Sequence, residues 1–177
     1  MCDSISLPAN AVFMTLVVPF DDSLLSKAAL IRARQFNRVL NEGVSVVSAI
    51  PAQNAAYARE RGWIGPEEQF DGKQIVRALR DSVAELAPDA QFEYVVTSRS
   101  SSAGIIGKEI RRFARQNDAT IVFIGSDNAG RFVRSLTVGS SVSSGKTYDT
   151  MIISQPKLPE IRSLEELDPA EELSEKQ

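Results

Sequence analysis

The stretch MTLVVPFDDSLLSKAAL, residues 14–30, joins an apolar run to a segment with helical spacing. Almost every residue up to Phe20 is apolar, which is typical of a strand buried on both faces of a parallel sheet. Asp21, Asp22 and Ser23 then supply residue types that cap helices, and apolar side chains follow them at helical intervals. The stretch therefore predicts a buried strand that passes directly into a helix.

The same alternation of apolar runs and helical segments continues along the chain. A capping pair at Asp71 and Gln74 predicts the start of a further helix, and residues 52–70 before it are predicted to be a loop. Alternating strands and helices are the pattern of a parallel sheet with helices packed on it. Four more strands are predicted, at residues 44–51, 91–98, 119–126 and 149–154.

The length of 177 residues suits one domain with a single core. We expect an N-terminal extension at residues 1–10, an α/β domain at residues 11–154 and an acidic tail at residues 155–177. The tail has many carboxylates and few apolar residues, which favours a solvated segment, and a docking arm is the alternative.

Composition excludes several classes of function. The sequence has no His, and its one Cys is Cys2, so it contains no His-based catalytic triad, no zinc cluster and no internal disulfide. A net charge of −3 gives no reason to expect nucleic acid as a partner. The apolar run at residues 11–20 is too short to span a membrane and lacks the basic start of a signal peptide. We therefore expect a cytoplasmic protein that is not inserted in a membrane.

Two loops at predicted strand ends have the chemistry of a ligand site. In an open parallel sheet, ligands bind beyond the carboxyl ends of the strands, where the strand order reverses. Asp21 follows the first strand, and a carboxylate suits a ribose hydroxyl or an adenine amino group. Gly125 to Ser141 follow the fourth strand, and glycines with serine hydroxyls can form a cradle of donors for phosphate.

Each of these residues also has a structural explanation. Asp21 can cap the first helix, Gly125 can end a strand in a turn, and Gly139 can allow close packing. A second motif, SSGKT at residues 143–147, resembles the end of a Walker A loop. That motif requires Gly where this sequence has Ser140, and the segment after it is predicted to be a strand instead of a helix.

Residues 14–30 resemble the opening of the universal stress proteins, a strand that ends in Pro-x-Asp-x-Ser before a helix. The segments DATIVFIGS (118–126) and GRFVRSLTVGSSVS (130–143) resemble the fourth strand and the phosphate loop of that family. The resemblance covers about residues 12–154. It implies an open five-stranded parallel sheet in the order 3-2-1-4-5, with helices on both faces.

The glycine spacing departs from the ATP-binding pattern of the family, which is Gly-x2-Gly-x9-Gly-Ser/Thr. Here the spacing is Gly125-x4-Gly130-x8-Gly139-Ser140, and Asn128 stands where the second glycine is expected. Asn tolerates left-handed backbone angles, so a reshaped loop could still hold phosphate. The resemblance implies a nucleotide site formed by Val18, Pro19, Asp21, Ile50, Gly125, Gly130, Gly139, Ser140 and Ser141.

The leading hypothesis is a regulatory protein of the stress response that binds ATP, with or without Mg²⁺, or a related adenine nucleotide, and does not turn it over efficiently. The resemblance also implies a homodimer that pairs through the fifth strand. The alternative is an interaction module of the same fold that regulates a protein partner without nucleotide. The third hypothesis is an enzyme that cleaves or transfers at the α-phosphate of ATP. PFDDS (19–23) lacks the pyrophosphatase-type loop of such relatives, so we expect at most slow ATP hydrolysis.

Overall fold

The computed structural model describes residues 14–125 and 148–157, which fold into five strands and four helices. The strands are β1 (Thr15–Pro19), β2 (Gly43–Pro51), β3 (Gln91–Thr97), β4 (Ala119–Gly125) and β5 (Asp149–Ile153). The helices are α1 (Leu24–Leu40), α2 (Ala55–Glu60), α3 (Gly72–Leu86) and α4 (Ala103–Gln116).

The five strands form one parallel sheet in the order β3-β2-β1-β4-β5. β1 lies at its centre, where Leu16 pairs with Val44 on one side and with Ile121 on the other. Leu16, Val17 and Val18 are completely buried, as expected for a strand covered on both faces. The α/β class and the strand order are therefore confirmed.

Local sequence signals set the ends of the helices. Ser23 is the N-cap of α1, and its hydroxyl accepts a hydrogen bond from the amide of Ser26 at 3.2 Å. Asn41 ends α1 in a left-handed conformation, with a φ of 53°, which Asn tolerates. Asp71 caps α3, accepting from the amides of Lys73 and Gln74. The predicted start of this helix is thus confirmed.

The helices cover the two faces of the sheet unequally in the part of the chain that the structure describes. α1 and α3 pack on one face, where Leu16 and Val18 contribute to the larger core cluster. α4 packs on the other face, where Ile110 and Phe113 join Val17 in a second cluster. Successive residues of β1 thus point to opposite faces.

The prediction that residues 52–70 form a loop is wrong for Ala55–Glu60, which are helical. α2 occupies Ala55–Glu60, and Asn54 caps it by accepting a hydrogen bond from the amide of Tyr57 at 2.9 Å. This helix is too short for a periodic pattern to reveal it in the sequence. It lies at the carboxyl edge of the sheet, where Tyr57 and Glu60 line a cavity.

No helix in residues 14–125 and 148–157 is long and apolar enough to cross a membrane.

Candidate functional site

A cavity of about 280 Å³ lies at the carboxyl ends of β1, β2 and β4. It includes the point between β1 and β4 where the strand order reverses, the usual ligand position in open α/β sheets. Its walls come from the sheet, from α2 and the residue after it, and from α4 and the turn before it. The lining residues are Pro19, Phe20, Asp21, Val47, Ala49, Tyr57, Glu60, Arg61, Ser101, Ile106, Gly107, Ile110 and Ile124.

One side of the cavity is apolar. Val47 and Ala49 from β2 and Ile124 from β4 form its floor, and Ile106 and Ile110 of α4 face them. Val47 and Ile124 are buried in the core cluster beneath α4, so this surface is held rigidly by the sheet. An apolar floor of this kind suits the flat face of an aromatic base.

Asp21 supplies a carboxylate to the lining of the cavity, and the protein itself engages both of its oxygens. Its Oδ1 accepts a hydrogen bond from the amide of Ser23 at 3.2 Å, and its Oδ2 forms an ion pair with Nη1 of Arg61. The side chains of Asp21 and Arg61 are only 13% and 18% exposed. The pair is therefore largely removed from solvent, and a buried ion pair is screened less than an exposed one.

The neighbouring Asp22 points away from the cavity. Its backbone has a φ of 64°, a left-handed conformation that redirects the chain between β1 and α1. Its carboxylate accepts a hydrogen bond from the hydroxyl of Ser82 at 2.5 Å and pairs with Nζ of Lys27 at 3.1 Å. Of the two adjacent carboxylates, Asp21 therefore faces the cavity and Asp22 ties α1 to α3.

The segment from Tyr57 to Trp63 is fastened to the end of β1. The indole N–H of Trp63 donates to the main-chain carbonyl of Asp21 at 2.9 Å. The Tyr57 ring meets the Trp63 ring edge-on at 5.5 Å between centroids, and the Arg61 guanidinium lies 5.2 Å from the centre of the Tyr57 ring. Burial raises the pKa of the Tyr57 hydroxyl above its usual value, so the hydroxyl is neutral at physiological pH.

Arg61 is not fully satisfied in this arrangement. Its Nε is buried and finds no hydrogen-bond partner among the residues that the structure describes. Buried polar atoms are rarely left without a partner, and such an atom at the wall of a cavity calls for an explanation. Sequence reasoning did not identify Arg61, Tyr57 or Glu60 as site residues. The local signal was Asn54, an N-cap residue type three positions before Tyr57.

The structure brings some of the predicted site residues to the cavity. Pro19 and Asp21 line it directly. Gly125 ends β4 close by, but a packing requirement already explains it. A Cβ atom at Gly125 would lie 2.9 Å from both the carbonyl carbon and the Cβ of Leu25 on α1.

Val18 and Ile50 are not among the residues that line the cavity. Both belong to the core cluster beneath α1 and α3, on the other face of the sheet. Alternate residues of a strand point to opposite faces, so it is Val47 and Ala49 that reach the cavity from β2.

The predicted phosphate-binding residues Gly130, Gly139, Ser140 and Ser141 lie outside the described residues. Their role stays a prediction. Within the described part of the chain, no group of three or more His, Cys, Asp or Glu side chains could hold a metal ion.

Comparison with known proteins gives one family. The model of the universal stress protein family matches residues 13–144. None of the curated proteins matches the sequence.

The fold resembles several solved structures at low sequence identity. A universal stress protein from Archaeoglobus fulgidus, in complex with dAMP, is 18% identical, with a TM-score of 0.50 over 81% of this chain and 99% of that one. A universal stress protein in complex with cAMP is 18% identical, with a TM-score of 0.48 over 81% of this chain and 99% of that one. A family member from Burkholderia pseudomallei is 15% identical, with a TM-score of 0.49 over 82% and 99%.

Proposed function

The chain belongs to the universal stress protein family, and from this premise we propose that it is a regulatory protein that binds ATP or a related adenine nucleotide without efficient turnover. The observation that carries the proposal is the cavity at the carboxyl ends of β1, β2 and β4, with an apolar floor and the Asp21–Arg61 pair at its wall. The Archaeoglobus fulgidus protein of the same fold is described in complex with dAMP, which supports an adenine ligand.

The size of the cavity favours the base and sugar over the whole nucleotide. Its volume of about 280 Å³ lies just below the range of about 300–1,000 Å³ that is common for ligand pockets. We propose that the phosphates extend past the end of β4, toward the glycines and serines that follow Gly125 in the sequence. Gly130, Gly139, Ser140 and Ser141 are the candidates to hold them.

Two features support binding without efficient turnover. The sequence contains no His, the residue that most often acts as a general base. The two carboxylates that line the cavity, Asp21 and Glu60, are too few in the described residues to form a metal cluster. We therefore assign any Mg²⁺ to the phosphates of the nucleotide and not to a dedicated protein site.

Calorimetric titration of the purified protein with ATP, with and without Mg²⁺, tests the proposal. Ala49→Leu places a larger side chain on the cavity floor, and we expect it to weaken binding at least tenfold. The matched control is Ala84→Leu on the exposed face of α3, which should bind as the wild type does. No heat at high micromolar nucleotide, or equal losses in the two variants, would contradict the proposal.

The Asp21–Arg61 pair gives some support to a second candidate, an interaction module of the same fold that regulates a protein partner without nucleotide. The carboxylate predicted to bind the ligand is already engaged by the protein itself. This candidate predicts no heat with any adenine nucleotide, and a partner that is retained when the cavity is filled by Ala49→Leu. The same titration therefore separates the two candidates.

We also propose a homodimer that pairs through β5. This strand is an edge of the sheet, and Ile152 on it is 47% exposed. An open apolar edge promotes association unless it is covered. Light scattering should give a dimer for the wild type and a monomer for Ile152→Lys, while a dimer in both would contradict this interface.

A further inference from the structure

A ligand that uses the Asp21 carboxylate must compete with Arg61 for it. The guanidinium already occupies Oδ2, and both side chains are largely buried. A ligand that displaces it leaves the guanidinium beside the Tyr57 ring but without its carboxylate partner. Separating a buried ion pair without replacing one of its charges is strongly unfavourable.

A phosphorylated ligand differs from adenosine in this respect. Phosphate can become the new partner of the guanidinium, because Arg pairs with phosphate through two parallel hydrogen bonds. Adenosine has no anionic group and can offer Arg61 no such partner. The exchange of Asp21 for phosphate as the partner of Arg61 therefore favours the nucleotide over the nucleoside.

Arg61 is suited to this exchange by its surroundings. Among the described residues that line the cavity, it is the only cation. Its Nε is buried and lacks a hydrogen-bond partner among the described residues, so a guanidinium that turns toward a phosphate can add a bond that Asp21 does not supply. The Tyr57 ring packs beneath the guanidinium and limits its position to the wall of the cavity.

We propose, on the premise of the proposed function, that Arg61 determines the specificity of the site by exchanging Asp21 for the first phosphate of the ligand, while any further phosphates extend past the end of β4. The site then selects adenosine phosphates over adenosine. Arg61 then releases Oδ2 of Asp21, which can accept from the ribose or the base, only when the ligand carries an anion for the guanidinium.

The test compares the dissociation constants of adenosine and AMP for the wild type and Arg61→Gln. Removal of the guanidinium removes the competitor for Oδ2 of Asp21 and deprives AMP of its phosphate partner. We expect adenosine to bind more tightly and the preference for AMP over adenosine to fall at least tenfold, about 1.4 kcal/mol at 25 °C. Arg59→Gln is the matched control, because exposed Arg59 on the same segment donates to the carbonyl of Glu68 at 3.0 Å and does not line the cavity. It should leave the preference unchanged.

Two further measurements guard against a merely structural effect of Arg61→Gln. Arg61→Lys keeps the positive charge and loses the two-bond geometry, so its preference for AMP should fall by a smaller factor. Trp63 is the only tryptophan of the chain, and its indole N–H donates to the main-chain carbonyl of Asp21. AMP should therefore shift the fluorescence emission of the wild type, and Arg61→Gln should shift it without ligand.

The outcomes separate this inference from the proposed function. If neither the wild type nor Arg61→Gln binds an adenine compound, the proposed function is wrong and the role of Arg61 is wrong with it. If the wild type binds AMP and Arg61→Gln shows the same preference over adenosine, only the role of Arg61 is wrong. A preference that falls equally in Arg59→Gln also overturns it.

Discussion

Gly125→Ala should destabilise the fold through one close contact. Gly125 is the last residue of β4, at the place where α1 crosses the sheet. An added Cβ would lie 2.9 Å from the carbonyl carbon and Cβ of Leu25, and 3.1 Å from its carbonyl oxygen. Two of these three atoms belong to the helix backbone, so a side-chain rotation cannot relieve the contact.

The size of the effect follows from the distance. Carbon atoms in good contact are about 3.5–4.0 Å apart, so α1 must move away by more than about half an ångström. Inserting a methyl group into a well-packed core costs about 1–3 kcal/mol, and a rigid neighbour favours the upper part of this range. We expect a loss of about 2–3 kcal/mol in the free energy of unfolding, which lowers Tm by about 4–12 °C in a protein of this size.

Urea denaturation followed by circular dichroism measures this loss, with Gly43→Ala as the control. A Cβ at Gly43 meets no atom within 4 Å, so that variant should stay within about 0.5 kcal/mol of the wild type. If Gly125→Ala is as stable as Gly43→Ala, the packing explanation of Gly125 is refuted. Its presence at the end of β4 would then need another cause, such as a ligand.

Three more predictions concern residues around the cavity. Ser48→Ala removes a buried hydroxyl that donates to the carbonyl of Phe20 at 2.7 Å, and urea denaturation should show a loss of about 1–3 kcal/mol. Trp63→Phe keeps an aromatic ring against Tyr57 but loses the bond to the Asp21 carbonyl, and circular dichroism in urea should show a loss of about 0.5–1.5 kcal/mol. Burial raises the pKa of the Tyr57 hydroxyl in the folded protein above 10, its ordinary value. Above pH 10 the unfolded chain therefore releases the hydroxyl proton more readily than the folded protein does, and the free energy of unfolding falls as pH rises. Tyr57→Phe should lessen that fall when urea midpoints are compared between about pH 8 and pH 11.

The elements of the fold could be predicted because their signals are local. The apolar run before Asp21 makes β1, and Ser23 and Asp71 cap the helices that the sequence predicted. α2 was missed because six residues are too few for a helical pattern to stand out from a loop.

The strand order is not a local property. Alternating strands and helices predict a parallel sheet but are compatible with several orders of its strands. The order 3-2-1-4-5 came from the family resemblance of residues 14–30 and of the segment after β4, and the structure confirms it.

The site was only partly predictable for related reasons. Pro19 and Asp21 could be found because they end a recognisable strand. Arg61 could not, because its contact with Asp21 joins residues 40 positions apart and no local pattern connects them. The sequence predicts Ile50 at the site, whereas Ala49 lines the cavity, because a difference of one position along a strand changes the face on which a side chain lies.

The central position of β1 has a consequence during synthesis. Leu16 of β1 pairs with Ile121 of β4, which leaves the ribosome 105 residues later. At about 5–20 residues per second, one edge of the central strand waits about 5–20 s for its partner. During that interval the nascent chain exposes an apolar, unpaired strand edge, the kind of surface on which chaperones act and from which aggregation begins.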